Sequence, residues 1–326
     1  MKLRTRWLAV LVVVPLALAG CTGTGQKTAN SATPAAAGSG DKITIDIVSH
    51  GSPGDSFWDV VKSGAEKAGR DLGVTVTYQS DPDPVKQSQL IDAAVATHPD
   101  GLVVSMANPD GLKASVEKAV AAGIPVITIN SGIDQSKAFG AETHVGQSEL
   151  IAGEGAGEQL AKAGVKNLIC VIHEAGNTGL EQRCKGAAEK LGGKVQNVQV
   201  DVANLADAKN TIKSKLLADP SIDGVLTLNN GVAVSAAQAI ADAGSKAKLA
   251  TFDVSADVTK LILEGKMLFA VDQQPYLQGY LPVMFLTLQK RNGDVVGGGQ
   301  PVYSGPGYVT KDNAAQVAKF AKNGTR

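Results

Sequence analysis

Asp100-Gly101-Leu102-Val103 opens a stretch that passes through an alanine-rich segment to Ala122-Gly123 and closes on Val126-Ile127-Thr128-Ile129-Asn130. A second stretch repeats the plan: Asp223-Gly224-Val225-Leu226, an alanine-rich segment, Ala243-Gly244, then Leu249-Ala250-Thr251-Phe252-Asp253. The opening Asp and the closing Asn or Asp lie 30 residues apart in both. Two short apolar runs flanking a helical pattern read as a βαβ unit with a right-handed crossover and parallel strands. One such unit in each half of the chain predicts two lobes of one design. Open parallel sheets take ligands at the carboxyl ends of their strands, and Asn130 and Asp253 stand there. Capping the next turn is the plainer role for each.

The alternation extends outward from these units. Strands are expected over 43–49, 74–78, 101–105 and 125–130, and again over 167–172, 195–200, 224–228, 249–252 and 268–271. The fold class is therefore α/β, two doubly wound parallel-sheet lobes. A helix over 56–72 carries an apolar stripe of Phe57, Val60, Val61, Gly64, Ala65, Ala68 and Leu72 at helical spacing. Trp58 falls beside that stripe, in the first turn after a strand, facing the mouth of the sheet. It is either a ligand platform or a partly exposed cover for a loop. The apolar segment 276–288 is interrupted by Gln278, Gly279 and Pro282 and reads as a buried helix.

Ahead of the first strand, Lys2, Arg4 and Arg6 precede an uncharged apolar run, Trp7 to Ala19. A bilayer span needs about 20 such residues; this run has the length of a signal-peptide core. Its end, Leu18-Ala19-Gly20-Cys21, resembles the lipobox of bacterial lipoproteins. That resemblance implies a signal peptide over 1–20, cleavage before Cys21 and acylation of its sulfur. An ordinary secretory signal with a chance cysteine is the alternative. Residues 21–40 are mostly Thr, Ala, Gly, Ser and Pro, too poor in apolar surface to offset ordering entropy, and are expected to be a flexible tether. The whole chain has 31 basic and 31 acidic residues, and loss of the signal leaves 28 against 31, a net charge of −3. Nothing in that balance suits nucleic acid. Cys170 and Cys184 remain, in a compartment that permits pairing; a disulfide and two buried thiols are both open.

Several segments, in their order and spacing over 42–319, resemble the type I periplasmic binding proteins for sugars, the family typified by ribose-binding protein. They are Ile45 to Ser49, Phe57-Trp58 with Lys62-Ser63-Gly64-Ala65, Pro125 to Thr128, Gly176 to Gly186 around Arg183, Leu228-Asn229-Asn230, Thr251-Phe252-Asp253 and Gln273-Gln274-Pro275. The resemblance implies two lobes joined by a three-segment hinge, with the ligand enclosed between them. An N-terminal lobe of 41–146 plus 274–302 and a C-terminal lobe of 147–273 plus 303–326 follow. It places Ser49, Asp55, Phe57, Trp58, Asn130, Ser131, Arg183, Asn229, Asp253 and Gln273 at ligand-contacting positions, with an aromatic ring stacked on the sugar. It further implies an ABC permease and its ATPase as partners, a lipid anchor in the cell membrane, a monomer, and neither cofactor nor metal. Where ribose-binding proteins carry an Asp-Arg pair this chain has Asn130-Ser131, a less cationic wall, so the sugar itself does not carry over. A tetritol, pentitol, inositol or furanose-like signalling molecule stays open. His50, His144, His173 and Glu174 lie near loop ends that could reach the cleft, structural roles being the plainer reading.

Rival classes find less support. Ser49-His50-Gly51-Ser52-Pro53-Gly54 after the first strand is no dinucleotide turn, and no phosphate loop, nucleophile elbow or zinc-protease helix appears. Gly153-Glu154-Gly155-Ala156-Gly157 falls within a predicted helix, where close packing on the sheet accounts for the glycines. A transcription repressor of this fold needs an N-terminal helix-turn-helix where this chain has its signal. A receptor feeding a sensor is not separable from an importer. A nucleoside site wants a second aromatic facing Trp58, and Phe252 is the one candidate.

Overall fold

Short runs of β-branched and aliphatic residues make the strands, and the pattern of their burial shows two sheets covered on both faces. The computed structural model describes residues 42–326; the expected signal peptide, Cys21 and tether lie outside the described residues. The first sheet contains β1 (Thr44–Ser49), β2 (Thr75–Ser80), β3 (Gly101–Ser105), β4 (Val126–Asn130), β5 (Thr143–Gly146) and β11 (Val302–Tyr303), in the order β11-β5-β4-β3-β1-β2. The second contains β6 (Asn167–Ile172), β7 (Lys194–Gln199), β8 (Gly224–Thr227), β9 (Lys248–Phe252), β10 (Ala270–Asp272) and β12 (Gly307–Val309), ordered β12-β10-β9-β8-β6-β7. All pairings are parallel except β10 with β12.

Residue alternation assigns each strand face its own helices. In the first sheet Ile45, Ile47, Val103, Ile127 and Ile129 pack under α1 (Ser56–Leu72) and α10 (Pro275–Asn292). Val48, Leu102, Val104 and Val126 face α2 (Pro84–Ala96) and α3 (Pro109–Ala121). In the second sheet Leu168, Cys170, Ile172, Leu226 and Ala250 pack under α5 (Glu149–Lys162) and α6 (Thr178–Leu191). Ile169, Val171, Val225 and Leu249 face α7 (Leu205–Ala218), α8 (Asn230–Asp242), α9 (Ala256–Leu263) and α11 (Ala314–Lys322). The one remaining helix, α4 (Ile133–Ser136), is a single turn after β4.

The chain passes between the sheets three times, from β5 into α5, from β10 into α10 and from β11 into β12. The glycine run in α5 corrects one expectation. A Cβ at Gly153 would lie 2.2 Å from the carbonyl oxygen of Arg183 and one at Gly157 2.5 Å from that of Ala187, so these two glycines admit α6, while Gly155 makes room for Tyr308 of β12. No described helix is long and apolar enough to cross a membrane.

Cys170 in β6 and Cys184 in α6 form a disulfide across 14 residues, in the core beneath α5 and α6. A loop of about that length stabilises by roughly 3 kcal/mol. Reduction under native conditions should lower Tm by roughly 6–12 °C, read by calorimetry with and without dithiothreitol; an unchanged Tm would show that the bond closes no useful loop.

Candidate functional site

Asn130 ends β4 and Asp253 follows β9, and both adopt a left-handed backbone, at φ +62° and +69°. Among non-glycine residues Asn and Asp tolerate that region best, because their short side chains bond locally. The repeated closing Asn or Asp thus has a conformational cause. From these two positions the side chains converge on Gln273, in the second passage between the sheets. Asn130 Nδ2 donates to Gln273 Oε1 at 3.1 Å, and Gln273 Nε2 donates to Asp253 Oδ1 at 2.6 Å. Gln278 Nε2 supports Gln273 Oε1 at 3.1 Å, and Ser304 Oγ donates to its carbonyl at 2.7 Å.

Other groups arrive as helix caps. Asp55 caps α1 by accepting from Phe57 N at 3.0 Å, Asn177 caps α6 from Gly179 N at 3.0 Å, and Asn229 caps α8 from Gly231 N at 2.8 Å. Each also reaches across the cleft. Asn229 Nδ2 donates to both Asp55 carboxylate oxygens at 3.2 Å, and Ser131 Oγ donates to Asn177 Oδ1 at 3.3 Å. Ser56 to Asn230 (3.1 Å), Gln182 to Asp134 (2.7 Å) and Thr178 N to the Ala107 carbonyl (3.0 Å) complete the bridge, so this is a closed form.

The space they line is about 20 Å³, far below the usual size of a ligand pocket, as the bonds across the cleft draw its walls together. Asp55, Phe57, Trp58, Asn130, Ser131, Arg183, Asn229, Asp253 and Gln273 all line it. Ser49 does not: its hydroxyl is engaged with Tyr78 Oη at 2.8 Å, away from the lining, which corrects its expected place. Trp58 is 6% exposed and held edge-on by His50 and Phe57, at ring separations of 4.7 and 5.1 Å. The loop below must approach closely, since a Cβ on Gly51 would fall 2.6 Å from Trp58 Cγ.

Arg183 is fully enclosed. Its Nε and Nη2 donate to the Glu149 carboxylate at 2.6 and 2.9 Å, Nη1 reaches the Leu228 carbonyl at 3.3 Å, and the guanidinium lies 4.5 Å over the Phe252 ring. A buried guanidinium requires such a partner. Sequence reading missed Glu149, which looks like an ordinary first-turn acid of a helix. Phe252 is buried beneath the arginine and does not line the cavity, so it cannot face Trp58 as a second aromatic.

His50, His173 and Glu174 also line the space, whereas His144 sits in β5 and bonds Thr128 Oγ1 at 2.9 Å. Burial pushes the imidazoles down, His50 and His144 to about 3 and His173 to about 4, with Arg183 adding to the effect at His50 and His173. His50 Nε2 lies 3.7 Å from Glu174 Oε2, too long for a hydrogen bond, and a neutral ring makes no ion pair. Among the described residues no cluster of His, Cys, Asp or Glu is arranged to hold a metal.

Against this geometry, residues 45–293 match the family model described as periplasmic binding protein domain. A carbohydrate transporter from Acidothermus cellulolyticus, solved with myo-inositol, is 44% identical, with a TM-score of 0.86 over 87% of this chain and 100% of that one. A carbohydrate transporter solute-binding protein from Agrobacterium radiobacter, solved with D-arabinose, is 27% identical, with a TM-score of 0.75 over 88% and 99%. The ribose import binding protein of Bacillus subtilis is 27% identical over 84% of this chain and 90% of its own length.

The cavity acids carry a measurable consequence. Burial is the main cause that raises Asp55 to about 6 and Asp253 to about 7, the latter against the pull of Arg183. A carboxyl with a raised folded-state pKa stabilises fully below its unfolded value, and that contribution is lost as pH rises through the folded one. Asp253→Asn should therefore stabilise the protein at pH 8 by on the order of a few kcal/mol, with the gain fading as pH falls from about 7 to about 4. Paired denaturant titrations across that window check it; a gain independent of pH would mean that Asp253 does not titrate there.

Proposed function

The chain belongs to the periplasmic binding protein domain family, whose members bind solutes and are not enzymes, and from that premise we propose that it captures a small sugar or polyol for an ABC importer. The observation that carries this reading is the make-up of the enclosed space. Asp55 and Asp253 supply acceptors, Asn130, Asn229 and Gln273 supply both donors and acceptors, and Trp58 offers a flat apolar face. That combination suits a ring bearing hydroxyls at its edge and C–H bonds on its faces. The likeness to a protein solved with myo-inositol makes a cyclitol the leading candidate, with pentoses and hexoses next.

The mechanism is closure. In the closed form Asn229 bonds Asp55 and Gln273 bonds Asp253. Ligand hydroxyls take over these partners, and binding is favourable to the extent that they improve on the direct bonds. We place the lobe boundaries at 146/147, 273/274 and 302/303, within or beside the three passages, which then act as the hinge. The mature protein is held to the outer face of the cell membrane through acylated Cys21, acts as a monomer, and docks on the permease, driven by its ATPase, through the outer edges of both lobes. The nucleoside alternative is weakened, because Phe252 is engaged by Arg183.

A thermal-shift screen of the purified protein against cyclitols, aldoses, ketoses, linear polyols, nucleosides and amino acids tests the reading. A specific ligand at 100 times its Kd adds about 2.7 kcal/mol, a Tm rise of roughly 5–11 °C. The rise is expected for one or two sugars or polyols and should vanish in Trp58→Ala. A response confined to nucleosides or amino acids would overturn the substrate class.

A further inference from the structure

Beyond the enclosed space the cleft continues into a groove of about 680 Å³ between the lobes. His173, Glu174 and Asn177 line both spaces and so form the partition between them. Two independent features give the groove a chemical character. His173 is 7% exposed, yet its Nδ1 has no hydrogen-bond partner. Buried polar atoms are rarely left in that state, and a ligand hydroxyl is a fitting complement. The charged side chains lining the groove are Glu174, Asp201 and Asp207, with no lysine or arginine among them. His173 adds no positive charge near neutral pH, being held down to about 4 by burial.

We propose that this groove is a second subsite, which receives a neutral or amine-bearing glycosyl substituent on the ring held in the enclosed space, and which rejects a phosphoryl group there. The proposal rests on the carbohydrate reading of the inner space and extends it to the class of substituted ligand that the cleft accepts. The groove is many times larger than the inner space, so a second ring fits it by size. Its uncompensated carboxylates repel an anion and attract an ammonium group. Closure need not be abandoned, because the shared partition residues sit where a glycosidic link would pass from one space to the other.

The test is isothermal titration calorimetry on the full chain. The probes are myo-inositol and a series in which each ring oxygen in turn carries a galactosyl, a glucosaminyl or a phosphoryl group. For at least one ring position the galactosyl derivative should bind within tenfold of myo-inositol. At that position the glucosaminyl derivative should bind at least threefold tighter than the galactosyl one, and the phosphoryl derivative at least 100-fold weaker. Ala203→Trp, an exposed groove position, should weaken the glycosyl derivatives at least tenfold and leave myo-inositol unchanged. If myo-inositol binds but every glycosyl derivative falls more than tenfold short, or phosphoryl matches galactosyl, the subsite does not exist. Failure of myo-inositol and of every other carbohydrate would fall on the reading of the inner space instead.

Discussion

The chain of hydrogen bonds from Asn130 through Gln273 to Asp253 is the interaction on which the closed form turns. It joins a strand end of each sheet to a passage between them, so both lobes are referred to one side chain. For it to form, two residues in sequence-equivalent places must leave the extended backbone for the left-handed region, which favours Asn, Asp or Gly there. Gln273 can serve both because an amide carries a donor and an acceptor on one planar group. Its own orientation is fixed from behind by Gln278 and Ser304. The donors and acceptors of the Gln273 side chain are thereby paired within the protein itself.

Around that centre the second lobe is organised by a single buried charge. Arg183 cannot be enclosed without an anion, and Glu149 provides it from the helix packed alongside. The helices approach closely because Gly153 has no side chain to hold them apart. The disulfide ties the residue after Arg183 to the neighbouring strand. Guanidinium, glycine contact and cross-link fall within one turn of each other, so Arg183 has little freedom to move. That rigidity suits the role we propose for it, holding ligand hydroxyls in a fixed orientation.

The fold was largely legible because buried parallel strands read as continuous apolar runs. The helix over Ser56–Leu72 and the strands Gly101–Ser105 and Asn167–Ile172 stand where periodicity puts them. Three strands were invisible: Thr143–Gly146, Val302–Tyr303 and Gly307–Val309 are too short to show a period, and their neighbours alone define them. At the site, the expected residues came from the resemblance to a family, and nine of the ten line the enclosed space, including Arg183, which lies within α6 and not after a strand. Ser49 is the exception, its hydroxyl engaged with Tyr78. Phe252 and Glu149 were beyond sequence for another reason. Their places depend on a charge in a different element, and pairing across 34 residues leaves no local trace.

Asp55, Asn177 and Asn229 each do two things at once: they terminate a helix in their own lobe and bond to the other lobe. This doubling constrains how such a protein can evolve. A substitution at any of the three that changes what the cleft recognises also unravels a helix start, so new specificities arising there begin from a weakened scaffold. Ser131 and His173 cap no helix and can vary at less cost to folding. Lineages of this protein that acquire new ligands should therefore do so first at those two positions, and keep the caps as a shared inheritance.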